Sequence, residues 1–339
     1  MVTMSNDLAT TLDQCLSQIE SGKARIRSCL VAYPSQAEEL EPLLLAAEAL
    51  RAGALGFSTS RTPLHRSKAG ELVPGTDADA AELSAIAEAM GEVGHGVFQF
   101  APDHALLPVT EWPWMVDLAR RTGVTISVNV NQPDSAPEVW RDVLGLLDEA
   151  AADGLPIVAQ FAGRSIGILY SLHGSVHPLL FHPAYTEVAD LPMPERLVAL
   201  ADPERRRRLI HDEPDDGGFF EKVVLDKLDR MWIVDGADID YEPTAEDSVA
   251  SVAARRGVPG MQLVLDQLTS SEGNGMIYTP FFNYSYGDLS MTYEATQHPH
   301  TRMGLSDAGA HCGAICDAST TTSFLTVWAR DLISSKDPR

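Results

Sequence analysis

The residues best suited to chemistry lie near the carboxyl end of the chain. Residues 303–311 form a short apolar run that ends in Ser306 and Asp307, followed by small residues and His311. The run predicts a strand, and the small residues after it allow a sharp turn. In a β/α barrel, residues at the carboxyl ends of strands face the mouth, which makes Asp307 the first candidate for catalysis. Outside a barrel, such an Asp is more often a turn or capping residue.

A second group of polar residues lies at the end of the predicted strand Leu55–Thr59 and in the segment after it. It contains Ser58, Arg61, His65 and Arg66. Because a guanidinium binds a carboxylate through two parallel hydrogen bonds, these residues are candidates for holding the carboxylate of an acylated amino acid. The alternative for the arginines is a loop salt bridge. His311 is either a substrate contact or a residue that closes its loop onto the next helix.

Four segments together resemble one known family. They are Gly53–Arg66, Val73–Thr76, the run 303–311 and Cys316–Ser319. They resemble the amidohydrolase superfamily, in the branch of the N-acyl-D-amino-acid deacylases (D-aminoacylases), and the resemblance covers about residues 50 to 335. It implies zinc-assisted hydrolysis of the amide of an N-acyl-D-amino acid or a related C–N bond. It further implies that Asp307 transfers the proton and contacts the metal, and that the substrate pocket contains Ser58, Arg61, His65, Arg66 and His311.

The metal ligands of that family do not all have counterparts here. Zinc lowers the pKa of a bound water, and its usual ligands are imidazole, thiolate and carboxylate. No His-x-His precedes Gly53, and Gln99, Asn129 and Asn131 stand where the family carries histidines at its middle strands. Zinc is therefore expected from the resemblance alone. A metal-poor site built from these three amides is the alternative.

The other histidines and cysteines have simpler interpretations. His298-Pro299-His300 precedes its predicted strand, so a turn is expected there. Cys312 and Cys316 are expected to be structural. Gly174 and Pro178 argue against a helix that would align the neighbouring histidines on one face. Packing or surface positions are therefore expected for His173, His177 and His182.

Alternating apolar runs and helical patterns predict an α/β protein. The predicted strands are Leu55–Thr59, Gly96–Phe100, Val124–Val130, Pro156–Phe161, Met231–Val234, Gly275–Thr279 and Met303–Ser306. The predicted helices between them are Ala80–Val93, Trp112–Thr122, Pro137–Ala152, Ala245–Arg256 and Gly287–Gln297. This pattern favours a partial or incomplete TIM-type (β/α) barrel preceded by a small helical N-terminal segment. A doubly wound sheet is the alternative, although no Gly-x-Gly-x-x-Gly follows a strand.

The organisation of the chain is expected to have two parts. Residues 1–50 form a helical leader, foreign to the barrel and weakly similar to sigma/anti-sigma-type regulatory proteins, and residues 51–339 form the amidohydrolase-like portion. Compared with the family, the chain is expected to be truncated at both ends. The proline-rich region Ser175–Gly218 predicts a loop-plus-helix excursion or a lid over the mouth.

Composition narrows the range of partners. The 48 acidic and 25 basic residues give a net charge of −23, which repels nucleic acid and anionic membranes. The four cysteines form no disulfide framework, and no apolar run reaches the roughly 18 residues of a membrane span, so a soluble cytoplasmic protein is expected. The expected partner is a small acylated amino acid, with the oligomeric state left open. The alternative function is a catalytically inactive barrel remnant or fusion product that acts through protein–protein contact.

Overall fold

The computed structural model describes residues 6–67, 71–76, 78, 80–215, 227–236, 239–306, 313–314 and 318–331. The strands in this part of the chain are β1 (Gly56–Ser60), β2 (Val97–Ala101), β3 (Thr125–Asn129), β4 (Ile157–Ala162), β5 (Ile166–Tyr170), β6 (Trp232–Val234), β7 (Met276–Phe282) and β8 (Thr301–Leu305).

The helices alternate with several of these strands. They are α1 (Asn6–Glu20), α2 (Ile26–Ala32), α3 (Ala37–Arg51), α4 (Ala80–Val93), α5 (Trp112–Thr122), α6 (Val139–Ala152), α7 (Pro183–Thr186), α8 (Met193–Leu200), α9 (Pro203–His211), α10 (Val249–Arg256), α11 (Gly260–Gly273), α12 (Ser290–Gln297) and α13 (Thr320–Ser323). The predicted bounds of α4 and α5 are confirmed residue for residue.

The chain divides into two compact units. Unit 1 comprises Met1–Val130, Glu138–Gln160 and His298–Arg302, and unit 2 comprises Asn131–Pro137, Phe161–Gln297 and Met303–Arg339. The strands of unit 1 belong to one sheet, and most of those of unit 2 belong to another. The two are therefore described separately.

Unit 1 is built around parallel strands. Strands β1 to β4 pair in parallel and in sequence order, and β8 is the neighbour of β4 in the sheet. Helices α4, α5 and α6 follow β1, β2 and β3, which gives the crossover connections that parallel pairing requires. The predicted α/β class and incomplete β/α barrel are confirmed in this form, as consecutive parallel β/α units preceded by helices.

The close approach of β1 and β2 requires a glycine at position 56, the first residue of β1. A Cβ on Gly56 would lie 2.0 Å from the Val97 carbonyl oxygen, so a larger residue would push β1 and β2 apart. Beyond that point the inner strands bury apolar side chains almost completely, including Phe98, Phe100 and Ile126. Burial of such residues supplies most of the stability of a parallel sheet.

The predicted helical N-terminal segment is confirmed as three helices. Leu12 of α1 and Leu40 and Leu44 of α3 are fully buried. Helix α3 packs against α4, and Leu50 lies 2.8 Å from where a Cβ on Gly96 would be. Gly96 also has a φ of +112°, which only glycine adopts readily. The assignment of residues 1–50 as a separate, foreign leader stays a prediction.

Unit 2 differs from the sequence prediction in its sheet. Strands β6 and β7 were expected among the parallel strands, but both belong to an antiparallel sheet with the order β5-β7-β6. Strand β5 was not predicted. Only three residues separate it from the end of β4, and so short a connection cannot hold the helical crossover of a parallel pair.

About half of the described residues of the proline-rich region in unit 2 are helical. It contains α7, α8 and α9, and each helix has a proline in its first turn, where the missing N–H costs nothing. Leu179, Leu200 and Leu209 from this region are buried in one core cluster with residues of α11. The predicted loop-plus-helix excursion is thus confirmed as a packed part of unit 2, and the lid stays a prediction.

Among the described residues, no helix has the length and apolar character of a membrane span.

Candidate functional site

Polar side chains in unit 1 lie between the middle and the carboxyl end of the parallel strands. Register places Ser58 of β1 opposite Gln99 of β2, and Asn129 of β3 opposite Gln160 of β4. Residues two apart on a strand share a face, so Ser60 is on the same side as Ser58. The carboxyl end of a parallel sheet is where α/β proteins bind ligands.

These side chains are joined by hydrogen bonds. The Ser58 hydroxyl donates to Gln99 Oε1, and Gln99 Nε2 donates to Asn129 Oδ1 at 2.9 Å. Gln160 Nε2 donates to the Ser127 hydroxyl at 2.5 Å. The bonds fix the orientation of each amide before any ligand binds. We refer to Ser58, Gln99 and Asn129 as the strand-end row.

The strand-end row contains two of the three amides proposed for a metal-poor site. Gln99 and Asn129 are directly bonded to each other. Asn131 instead belongs to unit 2, where its Oδ1 accepts a hydrogen bond from Asn283 Nδ2 at 3.3 Å. Only the first two amides are therefore shown together.

Ser60 and His65 form the second feature of this end of the sheet. Ser60 is the last residue of β1, and its hydroxyl oxygen lies 2.5 Å from His65 Nδ1. The backbone of His65 is held by two hydrogen bonds. The His65 N–H donates to the Thr62 carbonyl, and the His65 carbonyl accepts from the Val73 N–H, both at 3.3 Å. His65 was predicted from the sequence, whereas Ser60 was missed although its spacing from Ser58 places it on the same face.

His104 adds an imidazole that the sequence reasoning also missed. It lies three residues beyond the end of β2 and is hydrogen-bonded to the backbone of Asn129. Burial, with a smaller contribution from nearby His65, lowers the pKa of His104 to about 4. The ring is therefore uncharged at neutral pH. Its position just after a strand was the signal that could have identified it.

The described contacts favour the salt-bridge alternative for Arg61. Its Nε donates to Glu111 Oε1 at 2.8 Å, and its Nη1 donates to the Ala78 carbonyl. Glu111 is buried and also accepts from Trp114 Nε1 at 2.6 Å. Arg66 is exposed and forms an isolated β-bridge with Leu72. A role of either arginine in binding a carboxylate stays a prediction.

The most prominent sequence candidates lie outside the described residues. Asp307 and His311 are among them, as are Cys312 and Cys316. Strand β8 ends at Leu305, so Asp307 follows it by two positions in the sequence. The predicted catalytic and metal-binding roles of Asp307, and the substrate contact of His311, stay predictions.

The described residues do not fit a zinc site. In the part of the chain that the structure describes, no three His, Cys, Asp or Glu side chains converge closely enough to hold a metal ion. The strand-end row offers amide and hydroxyl groups, which are poor zinc ligands beside imidazole or thiolate. His298 and His300 lie in the predicted turn before β8, with His298 Nε2 3.2 Å from Asp148 Oδ1.

Comparison with known proteins gives matches among solved structures only. No family model and no curated protein matches the chain. The chain is similar to the N-acyl-D-glutamate deacylase from Bordetella bronchiseptica, with 20% identity, a TM-score of 0.39 and coverage of 79% of this chain and 42% of that chain. It is also similar to a D-aminoacylase, with 17% identity, a TM-score of 0.42 and coverage of 87% and 48%.

These structures come from the branch that the sequence resembles. The Bordetella enzyme was solved with zinc and a phosphonate inhibitor, and a further D-aminoacylase, 16% identical with a TM-score of 0.38, is described as having a binuclear metal centre. The chain spans less than half the length of each structure. With TM-scores below 0.5, the likeness carries no argument about the activity of this chain.

Proposed function

We propose that the chain is an amidohydrolase-like hydrolase that cleaves the amide of an N-acyl-D-amino acid or a related C–N bond. The observation that supports this most directly is the strand-end row, which places polar groups between the middle and the carboxyl end of neighbouring parallel strands. A ligand bound there would meet hydrogen-bond donors and acceptors on neighbouring strands. The sequence resemblance supplies the reaction type and the substrate class.

The chemistry of the strand-end row suits a substrate with amide and carboxylate groups. Each carboxamide has two N–H donors and an oxygen with two lone pairs, so Gln99 keeps capacity beyond its bonds to Ser58 and Asn129. Such groups can orient both an amide carbonyl and its N–H. The neutral row also avoids the repulsion that a carboxylate surface would impose on an anionic substrate.

Asp307 is the proposed proton-transfer residue. A carboxylate within reach of the scissile amide can take up a proton during attack and return it to the leaving amine. Zinc remains the expectation from the family resemblance of the sequence. Because the described donor set does not fit zinc, we assign the metal no step.

An activity assay on the purified full chain tests the proposal. The chain is incubated with N-acetyl-D-amino acids and their L-enantiomers, with and without added zinc, and the released amine is measured. We expect hydrolysis that Asp307→Asn lowers by about 100-fold or more. The matched control is Asp190→Asn, at an exposed position in unit 2, which should keep the parent rate.

Two outcomes would contradict the proposal. If no N-acyl amino acid is hydrolysed under either metal condition, the chain behaves as the inactive barrel remnant that is the alternative. If Asp307→Asn hydrolyses the substrate as fast as the parent, the proposed proton-transfer role is wrong even though the hydrolase assignment holds.

A further inference from the structure

We propose that Cys15 and Cys29 are a modification site, at which a small-molecule disulfide such as oxidised glutathione converts the two thiols into a disulfide that joins α1 to α2. Both thiols lie in the helical N-terminal segment, and both are free in this structure. The inference goes beyond the proposed function and does not depend on it, because the exchange of thiols requires no hydrolytic step.

The two thiols are in contact with each other. Cys15 belongs to α1 and Cys29 to α2, and a hydrogen bond joins their side chains. A second bond supports the same alignment, because the Tyr33 hydroxyl donates to Gln14 Oε1 at 3.0 Å. Gln14 precedes Cys15 in the sequence, and the Tyr33 N–H donates to the Cys29 carbonyl at 3.0 Å. The meeting of the two cysteines is therefore part of how α1 packs against α2.

The thiol of Cys29 lies where α2 is buried. The structure describes all seven residues of this helix, and Cys29, 2% exposed, is the one among them that is fully buried. Val31 is 74% exposed, and Cys15 on the facing helix is 1% exposed. A helix of this length is not stable without tertiary packing. A bond between the two sulfurs would thus act at the point that holds α2 in place.

Burial protects the thiols while α2 is packed. Burial, with a smaller contribution from the hydrogen bond to Cys29, raises the pKa of the Cys15 thiol to about 12. Since the thiolate is the reactive form, direct reaction of the packed pair with an oxidant is slow. Short surface helices open locally without unfolding of the whole chain, so we expect oxidation to follow local opening of α2. Closure then brings the second thiol to the first.

The reaction transfers two electrons and two protons. One protein thiolate attacks a sulfur of oxidised glutathione, which breaks the S–S bond and releases one glutathione thiolate. The second protein thiolate attacks the protein sulfur of this mixed disulfide, forms the bond between Cys15 and Cys29, and releases the second glutathione thiolate. The two cysteines are oxidised, the glutathione disulfide is reduced, and the two thiol protons pass to the released glutathione.

Peptide mapping tests the pairing directly. The full chain is incubated with a mixture of reduced and oxidised glutathione, treated with iodoacetamide and digested with trypsin without reduction. Trypsin releases Cys15 in peptide 1–23 and Cys29 in peptide 28–51, whereas Cys312 and Cys316 remain together in peptide 303–330. We expect peptides 1–23 and 28–51 to be joined, at the sum of their masses less two hydrogen atoms. A bond between Cys312 and Cys316 cannot produce this species.

Matched variants separate the proposed pair from the other cysteines. The Cys312→Ser, Cys316→Ser double variant should give the joined peptides in the same yield as the parent, whereas Cys15→Ser and Cys29→Ser should each give none. The ratio of joined to separate peptides should also be at least about 10-fold higher for the folded chain than for the chain in urea, because packing holds the two thiols together.

Three results would overturn the inference. The first is that both thiols remain free after incubation of the parent chain. The second is that glutathione adducts on Cys15 or Cys29 replace the joined peptides. The third is that the ratio of joined to separate peptides is the same in urea, which would show that the fold does not present the two cysteines to each other.

Discussion

Two histidines, one in each unit, occupy opposite environments. His65 in unit 1 is partly exposed in the loop after β1, beside the Ser60 hydroxyl, whereas His177 in unit 2 is only 2% exposed and contacts Tyr185 of the core cluster. A histidine side chain is thus partly exposed to solvent in unit 1 and buried in unit 2. The comparison teaches that burial sets the chemistry of an imidazole, since burial is the main cause that lowers the pKa of His177.

The contacts of His177 are organised around one phenol. The Tyr185 hydroxyl lies 3.0 Å from His177 Nε2 and accepts from Arg196 Nη1 at 3.1 Å. His177 Nδ1 has no hydrogen-bond partner among the described residues. Burial, aided by the charge of Arg196, lowers the pKa of His177 to about 4.

The prediction that these histidines serve packing or the surface is confirmed. His177 packs edge-on against the ring of Tyr185, with ring centroids 4.6 Å apart. His182 is buried, and its Nδ1 accepts from Ala184 N–H at the start of α7. His173 is exposed. No common metal-binding face involves these three residues in the described structure.

The largest expected effect is on stability. His177→Ala removes a buried ring and its contact with Tyr185, and we expect it to lower the free energy of unfolding by about 3 to 4 kcal/mol. His65→Ala at the partly exposed strand end should lower it by less than about 1 kcal/mol. Urea unfolding followed by circular dichroism measures both. Equal losses would show that the two histidines do not differ in the way their burial indicates.

The second prediction concerns the dependence of stability on pH. His177 has a pKa of about 4 in the folded chain, compared with 6.5 for the ordinary side chain, so the unfolded chain binds the proton more tightly. The contribution of His177 to the free energy of unfolding is therefore complete above about pH 6.5 and is lost as the pH falls toward 4. This contribution amounts to roughly 3 kcal/mol at most.

A non-titrating variant isolates this contribution. His177→Gln should flatten the unfolding free energy between pH 6.5 and 4. The slope that remains should include the contribution of His104 in unit 1, whose pKa is lowered to about 4 in the same direction. An unchanged slope in His177→Gln would mean that His177 already binds its proton in the folded chain at mild acidity.

The smallest expected effect comes from removing one hydroxyl. Tyr185→Phe leaves His177 Nε2 and Arg196 Nη1 without the phenol oxygen, and we expect a loss of about 1 to 2 kcal/mol. Ser60→Ala removes a hydroxyl from a partly exposed strand end and should cost less than about 1 kcal/mol. A thermal unfolding series compares the two. A larger loss for Ser60→Ala would indicate that the Ser60–His65 pair is primarily structural.

Much of unit 1 could be predicted from the sequence because its signals are local. The apolar runs before Ser60 and Asn129 predict strands, and the helical periodicity between them predicts α4 and α5 with their bounds. The polar residues after the first strand also identify His65 as a candidate. Helices and strands of this kind depend on side-chain periodicity within one segment.

The sequence did not reveal the arrangement of unit 2 because strand direction is not a local property. The residues of β7 would suit either a parallel or an antiparallel neighbour. Because no strand was predicted at β5, the short connection between β4 and β5 could not be used to exclude a parallel crossover. The capacity of a strand to pair is local, but the choice of its partner depends on residues more than 100 positions away, as for Ile166 and Phe282.

What the sequence by itself determined is the class of the fold, the helical start of the chain, the acidic charge and a set of polar residues at strand ends. Only the tertiary structure decided that Ser60 meets His65, that Arg61 is paired with Glu111 and that His177 is buried beside Tyr185. The physical reason is that periodicity fixes which face of an element a residue occupies, while distances between side chains on separate segments follow from how those segments pack.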